Sequence, residues 1–156
     1  MTDGDNEAPP APITICTIGF SGHSAEEFFG KLLRSGVRTV FDVRLNNVSQ
    51  LAGFAKKRDL EYFLRTITGI AYVHDPGLAP TKDILDDYKK KRIDWAEYEE
   101  RFTRLLAERQ PDKRLQRDEL DRGCLLCSEY EPENCHRRLV AEYLLRNWGT
   151  VVIEHL

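Results

Sequence analysis

Five short runs of apolar and β-branched residues recur along the chain, at Ile13–Ile18, Thr39–Val43, Ile70–His74, Cys124–Ser128 and Thr150–Glu154, and they limit the fold more than any other feature. Each is nearly continuous in apolar character rather than alternating, the pattern of strands buried on both faces. Amphipathic stretches with helix punctuation separate them. Ser24 with Glu27 forms a capping box, Phe28, Phe29, Leu32 and Leu33 share a face, and Gly36 supplies the stop, so a helix is predicted over 24–35. The stretch Lys57–Thr68 places Leu60, Phe63, Leu64 and Ile67 on one side and ends at Gly69. Asp94 with Glu97 opens a helix whose Trp95, Tyr98, Phe102, Leu105 and Leu106 face inward until Pro111. Asn134 or a neighbour opens the last helix, with Leu139, Val140, Tyr143 and Leu144 inside and Gly149 at its end. Alternating strands and helices imply right-handed βαβ units, hence a three-layer α/β fold with a mostly parallel five-stranded sheet.

The region Lys82–Arg122 breaks this rhythm. It carries twelve basic and twelve acidic residues on two or three helical pieces, and reads as a helical insertion with a mostly solvated face. Lys89, Lys90, Lys91 and Arg92 are its one charge cluster. The length of 156 residues suits a single domain over 13–156, preceded by a disordered tail over 1–12 that holds three prolines and no apolar periodicity. The net charge of −3 argues against a broad nucleic-acid footprint, so a nucleic-acid partner is only weakly supported. No run reaches the roughly 18 apolar residues of a spanning helix, and Met1–Pro12 lacks a basic, apolar leader; no membrane partner and a cytoplasmic location are expected. In that compartment Cys16, Cys124, Cys127 and Cys135 point to thiol chemistry or metal binding rather than disulfides.

Parallel α/β sheets bind ligands where strand carboxyl ends meet helix amino ends, and the unusual polar residues of this chain fall there. Gly19-Phe20-Ser21-Gly22-His23-Ser24 follows the first strand, Asp42-Val43-Arg44 the second, His74 the third and Ser128-Glu129 the fourth, while Cys135-His136-Arg137 opens the last helix. Ser21 and His23 lie before a helix amino end suited to an anion. Asp42 and Arg44 leave their strand on the same side, so Arg44 either clamps an anion or pairs with Asp42 or Glu129. His74 is a ligand contact or a hydrogen-bonded structural histidine. The strongest group is Cys127, Glu129, Cys135, His136 and Arg137: a thiol of lowered pKa beside His136 and Arg137, with Glu129 as general acid, base or nucleophile. The alternative is that the two cysteines are apolar packers and the others form caps and salt bridges.

Several motif readings fail on spacing. The loop GFSGHS is neither GxGxxG nor a P-loop. No cysteine is followed by Arg six positions on, so the CX5R phosphate cradle is absent. Cys124 and Cys127 form a CxxC, but on a strand such positions point to opposite faces. Zinc bound by Cys127, Cys135 and His136 or His23 stays open; no metal ligand set is assigned and no cofactor is named.

Thr17-Ile18-Gly19-Phe20-Ser21, Phe41-Asp42-Val43-Arg44, Tyr72-Val73-His74 and Leu125-Leu126-Cys127-Ser128-Glu129 through Cys135-His136-Arg137 resemble the family called domain of unknown function 488, from about Ile13 onward. The resemblance implies a Rossmann-like α/β domain with these polar residues in one cleft, and supplies no reaction. Members commonly show Gly-His-Ser where this chain has Gly19-Phe20-Ser21, with a histidine at His23 instead. They often carry a basic loop where Leu45–Ala55 is uncharged. The expectation is an uncharacterised enzyme, a hydrolase or transferase, acting on an anionic small molecule, nucleotide or nucleic-acid base. Catalytic candidates are Glu129, Cys135, His136 and Cys127; substrate-binding candidates are Ser21, His23, Asp42, Arg44, His74 and Arg137. The alternatives are a non-catalytic ligand-binding or partner-docking module and a metal-binding protein.

Overall fold

The computed structural model describes residues 8–47 and 53–156. Five strands, β1 (Ile13–Gly19), β2 (Thr39–Asp42), β3 (Ala71–His74), β4 (Gly123–Cys127) and β5 (Val151–His155), form one sheet in the order β3-β2-β4-β1-β5. Every pairing is parallel, with Ile15 opposite Gly123, Thr39 opposite both Gly123 and Ala71, and Ile13 opposite Val151. The expected α/β class is therefore the observed one. Central β4 is buried throughout and β1 nearly so. The edge strands differ from expectation: β3 exposes alternate residues and β5 most of its length, with Val73 and Val152 among the exposed apolar side chains.

Seven α-helices accompany the sheet: α1 (Ala25–Arg34), α2 (Lys57–Phe63), α3 (Lys82–Lys89), α4 (Trp95–Arg109), α5 (Pro111–Arg114), α6 (Arg117–Leu120) and α7 (His136–Trp148) among the described residues. The capping box forms as its spacing requires: Glu27 N donates to Ser24 Oγ at 3.1 Å and Ser24 N to Glu27 Oε2 at 3.2 Å. Asp94 caps α4 by accepting from Glu97 N at 2.9 Å. The helix expected over 57–68 is α2 followed by a wider π turn, Leu64–Thr68, closed by Gly69 at φ 71°. The charged insertion contains four helices rather than two or three.

Two apolar clusters sandwich the sheet. On one face Phe28, Phe29 and Leu32 of α1 and Leu60 of α2 pack on Cys16, Ile18, Val40, Cys124 and Leu126. On the other, Phe102 and Leu106 of α4 and Leu139, Val140 and Leu144 of α7 pack on Ile15, Phe41, Leu125 and Cys127. Burying these side chains is the main favourable contribution to folding. The alternation along β4 separates Cys124 from Cys127, as the strand reading of the CxxC required. No described helix is long and apolar enough to cross a membrane. Of the expected tail, residues 1–7 lie outside the described residues; residues 8–12 are exposed and irregular. Part of the uncharged Leu45–Ala55 loop, 48–52, also lies outside them.

Candidate active site

The carboxyl ends of β2 and β4 and the amino end of α7 meet at a cleft of about 290 Å³. Cys127 closes β4, and α7 begins at His136 with Cys135 as its N-cap. All three are buried and border the cleft, and their Sγ and ring nitrogen atoms lie within 4.8 Å of one another. His136 Nε2 sits 2.7 Å from the Val43 carbonyl oxygen. A carbonyl only accepts, so Nε2 carries the proton and Nδ1 turns its lone pair toward Cys127 Sγ, 3.4 Å away. Phe102 meets the imidazole edge-on at 5.6 Å, which fixes the ring plane.

The two thiols are not equivalent. A hydrogen bond from Cys135, the N–H groups of Ser128 and Glu129 and the charge of Arg137 outweigh burial and hold Cys127 below the ordinary thiol value. The same contact to Cys127, with burial, pushes Cys135 well up. Of the two sulfurs it is thus Cys127, with Cys135 as its hydrogen-bond donor, whose thiol is held low.

Glu129 is exposed at the cleft wall. Arg44 borders the cleft too, but its guanidinium is largely spent. Nε and Nη2 grip Asp42 at 2.8 and 2.7 Å, and Nη2 also reaches Ala55 O at 2.7 Å. Only Nη1 is without a partner among the described residues. Asp42 does not border the cleft. It also accepts from Tyr72 Oη at 2.6 Å and Asn47 Nδ2 at 3.3 Å. Burial alone would raise its pKa, and the Arg44 and Tyr72 bonds reverse that and hold it below the usual carboxylate value. Asp42 is thus the buried counter-ion of Arg44.

Other candidates are likewise used inside the fold. Arg137 is fully buried and donates to the carbonyls of Glu129 and Tyr130 (2.9 Å) and, through Nε, to Thr17 Oγ1 at 3.3 Å. These bonds fasten the loop after β4 to β1. Thr17 Oγ1 is in turn 2.6 Å from His155 Nδ1 on β5. That loop lies so close to β1 that a Cβ on Gly19 would stand 1.5 Å from Glu129 O; the glycine permits the contact. Ser21 donates its backbone N–H to Ser128 O at 3.0 Å. His23 meets Lys31 Nζ at 2.8 Å and packs on Tyr130, and burial with the Lys31 charge lowers its pKa. His74 Nε2 donates to Arg44 O at 2.9 Å. None of Ser21, His23, His74 or Arg137 borders the cleft.

The remaining wall comes from the charged insertion. Leu85, Tyr88 and Lys89 of α3 and Trp95 and Tyr98 of α4 face the cysteines across the cleft. Trp95 stacks on Tyr98 at 4.8 Å, and Tyr88 packs on both. Tyr98 is buried in the core, as its inward helical position predicts, and Trp95 packs against that core; that both also line the cleft beside Lys89 is signalled in the sequence only by aromatics recurring around the basic cluster 89–92. A second, larger concavity of about 670 Å³ lies on the opposite face of the sheet, between α1 and α2, and holds none of the candidate residues.

A parallel α/β frame whose strand ends carry a thiol–imidazole pair beneath an aromatic wall defines the class: a single-sheet α/β domain with a cysteine–histidine cleft. Residues 24–144 match the family described as domain of unknown function DUF488, and the chain belongs to that family. No curated protein and no solved structure is matched by the chain.

Proposed function

We propose that the protein is an enzyme of the hydrolase or transferase type that uses Cys127 as a nucleophile on a small anionic substrate with a planar group, such as a nucleotide or exposed base. The observation that carries this reading is the Cys127 Sγ to His136 Nδ1 contact at 3.4 Å, with the imidazole pinned by Val43 O. That is the arrangement in which a base with a fixed tautomer takes a nucleophile's proton. Sulfur then forms a bond to the electrophilic atom of the substrate as the leaving group departs with a proton from the imidazolium or from Glu129. Water or a second substrate releases the adduct. Lys89 supplies positive charge and Arg44 Nη1 an unused N–H donor for the anionic group, and the Tyr88, Trp95 and Tyr98 wall supplies flat apolar surface for the ring.

The test needs no known substrate. Iodoacetamide labelling followed by peptide mass spectrometry should modify Cys127 first, and His136→Gln should slow that modification about tenfold or more. Cys16, whose pKa burial and Glu154 raise to about 11, and fully buried Cys124 should stay unmodified in the folded protein. Equal rates at Cys127 in the parent and His136→Gln would remove the nucleophile. Nucleotide binding without any Cys127 adduct or turnover would mark the cleft as a recognition module.

A further inference from the structure

We propose that Cys127, Cys135 and His136 form a binding site for a thiophilic divalent cation, zinc above all, whose occupancy masks the Cys127 nucleophile. The masking rests on the enzyme reading given above; the binding does not. Three facts of geometry carry it. The donor set is two sulfurs and one imidazole nitrogen, the soft to borderline ligands that zinc takes and magnesium and calcium do not. The three ligand atoms lie within 4.8 Å of one another. Zn–S bonds of about 2.3 Å and Zn–N bonds of about 2.0 Å at tetrahedral angles set ligands about 3.5–3.8 Å apart. The Cys127 Sγ to His136 Nδ1 distance of 3.4 Å is already close to that spacing, and Cys135 needs at most a rotation of about 1 Å.

The surroundings support the same occupant. Val43 O binds Nε2–H at 2.7 Å, which leaves Nδ1 as the ligand atom and orients the ring, the role of a second partner behind a metal-bound histidine. His23, the other histidine compatible with the sequence, is held by Lys31 and Tyr130 and borders a different part of the surface, so the geometry selects His136. Three protein ligands would leave one coordination position, and all three border the cleft that Glu129 also lines, which suits an open rather than a closed site. On binding, both thiol protons pass to solvent and both sulfurs bond to the metal as thiolates, without change of oxidation state.

The experiment is a zinc titration of the reduced, metal-stripped full chain against a chromophoric chelator, repeated with cobalt(II) to read thiolate-to-metal absorption and tetrahedral d–d bands. About one zinc per chain is expected, weakened about 100-fold or more by Cys135→Ser or His136→Gln and unchanged by Cys124→Ala. Zinc should also shield Cys127 of the unaltered protein from iodoacetamide, a readout that depends on no variant's folding. Binding weaker than about 10 μM, absence of thiolate-to-cobalt absorption, no shielding of a Cys127 that is labelled without zinc, or affinity unaltered in folded Cys135→Ser would each overturn the site. Because no substrate is present, tight zinc binding with an inert Cys127 sinks the enzyme reading alone, and a reactive Cys127 without zinc binding sinks the metal site alone.

Discussion

Arg137→Met separates a structural cation from a ligand-binding one. Methionine approximates the length and volume of the arginine stem but removes the bonds to Glu129 O, Tyr130 O and Thr17 Oγ1. Hydrogen bonds from a charged donor contribute about 1.5–3 kcal/mol each. The Thr17 contact at 3.3 Å is long, and the two carbonyls are only partly buried, so water recovers some of the loss; the two strong bonds at the lower limit give about 3 kcal/mol. A domain stable by about 5–15 kcal/mol survives that change. Urea unfolding should show it directly, with Arg104→Met as comparator: Arg104 pairs with Glu100 on the exposed face of α4 at 2.9 Å, worth about 0.5 kcal/mol. If Arg137→Met came within about 1 kcal/mol of Arg104→Met, Arg137 would not be the fastener of the loop that carries Glu129, and an anion-binding role would return.

Two further outcomes follow from the same packing. Gly19→Ala forces the β1 end and the 128–130 loop apart and should destabilise by about 3 kcal/mol or more, whereas Gly30→Ala, inside α1 and against only the movable end of Arg34, should stabilise by about 0.5–1 kcal/mol; equal effects in thermal melts would refute the close approach. Asp42→Asn leaves buried Arg44 without its counter-charge and should lose about 3–5 kcal/mol at pH 7. The folded pKa of Asp42 is lowered, so its contribution is complete above the unfolded value of about 3.9 and is lost as pH falls through the lower folded value; the gap between parent and variant should narrow in urea melts below about pH 4 and stay flat above pH 5.

What the sequence made legible was local or followed from topology. Ser24, Glu27, Asp94 and Gly69 act within one turn of themselves, so helix ends could be read from short motifs. Cys127, Cys135 and His136 could be brought together because a parallel sheet delivers strand ends and helix starts to one side. The partners of long side chains were not legible. Whether Arg137 reached into the cleft or under a loop depended on Gly19, 118 positions away, allowing that loop to settle against β1. Arg44 could be paired with Asp42 from spacing alone, but its choice between counter-ion and ligand turned on Tyr72 and Asn47 occupying the rest of the carboxylate. The aromatic wall was hidden because charge dominates the sequence of α3 and α4, while only their packing across the sheet face shows which side chains turn toward the cysteines.

The short polar relay from His155 through Thr17 to Arg137 gives strand β5 a reach beyond its own pairing. Peeling that outermost strand away would strip Thr17 of its imidazole partner and loosen the guanidinium behind it. Fraying at the border of the sheet would then be felt as slack in the segment bearing Glu129, and the two regions would open and close as a single cooperative unit.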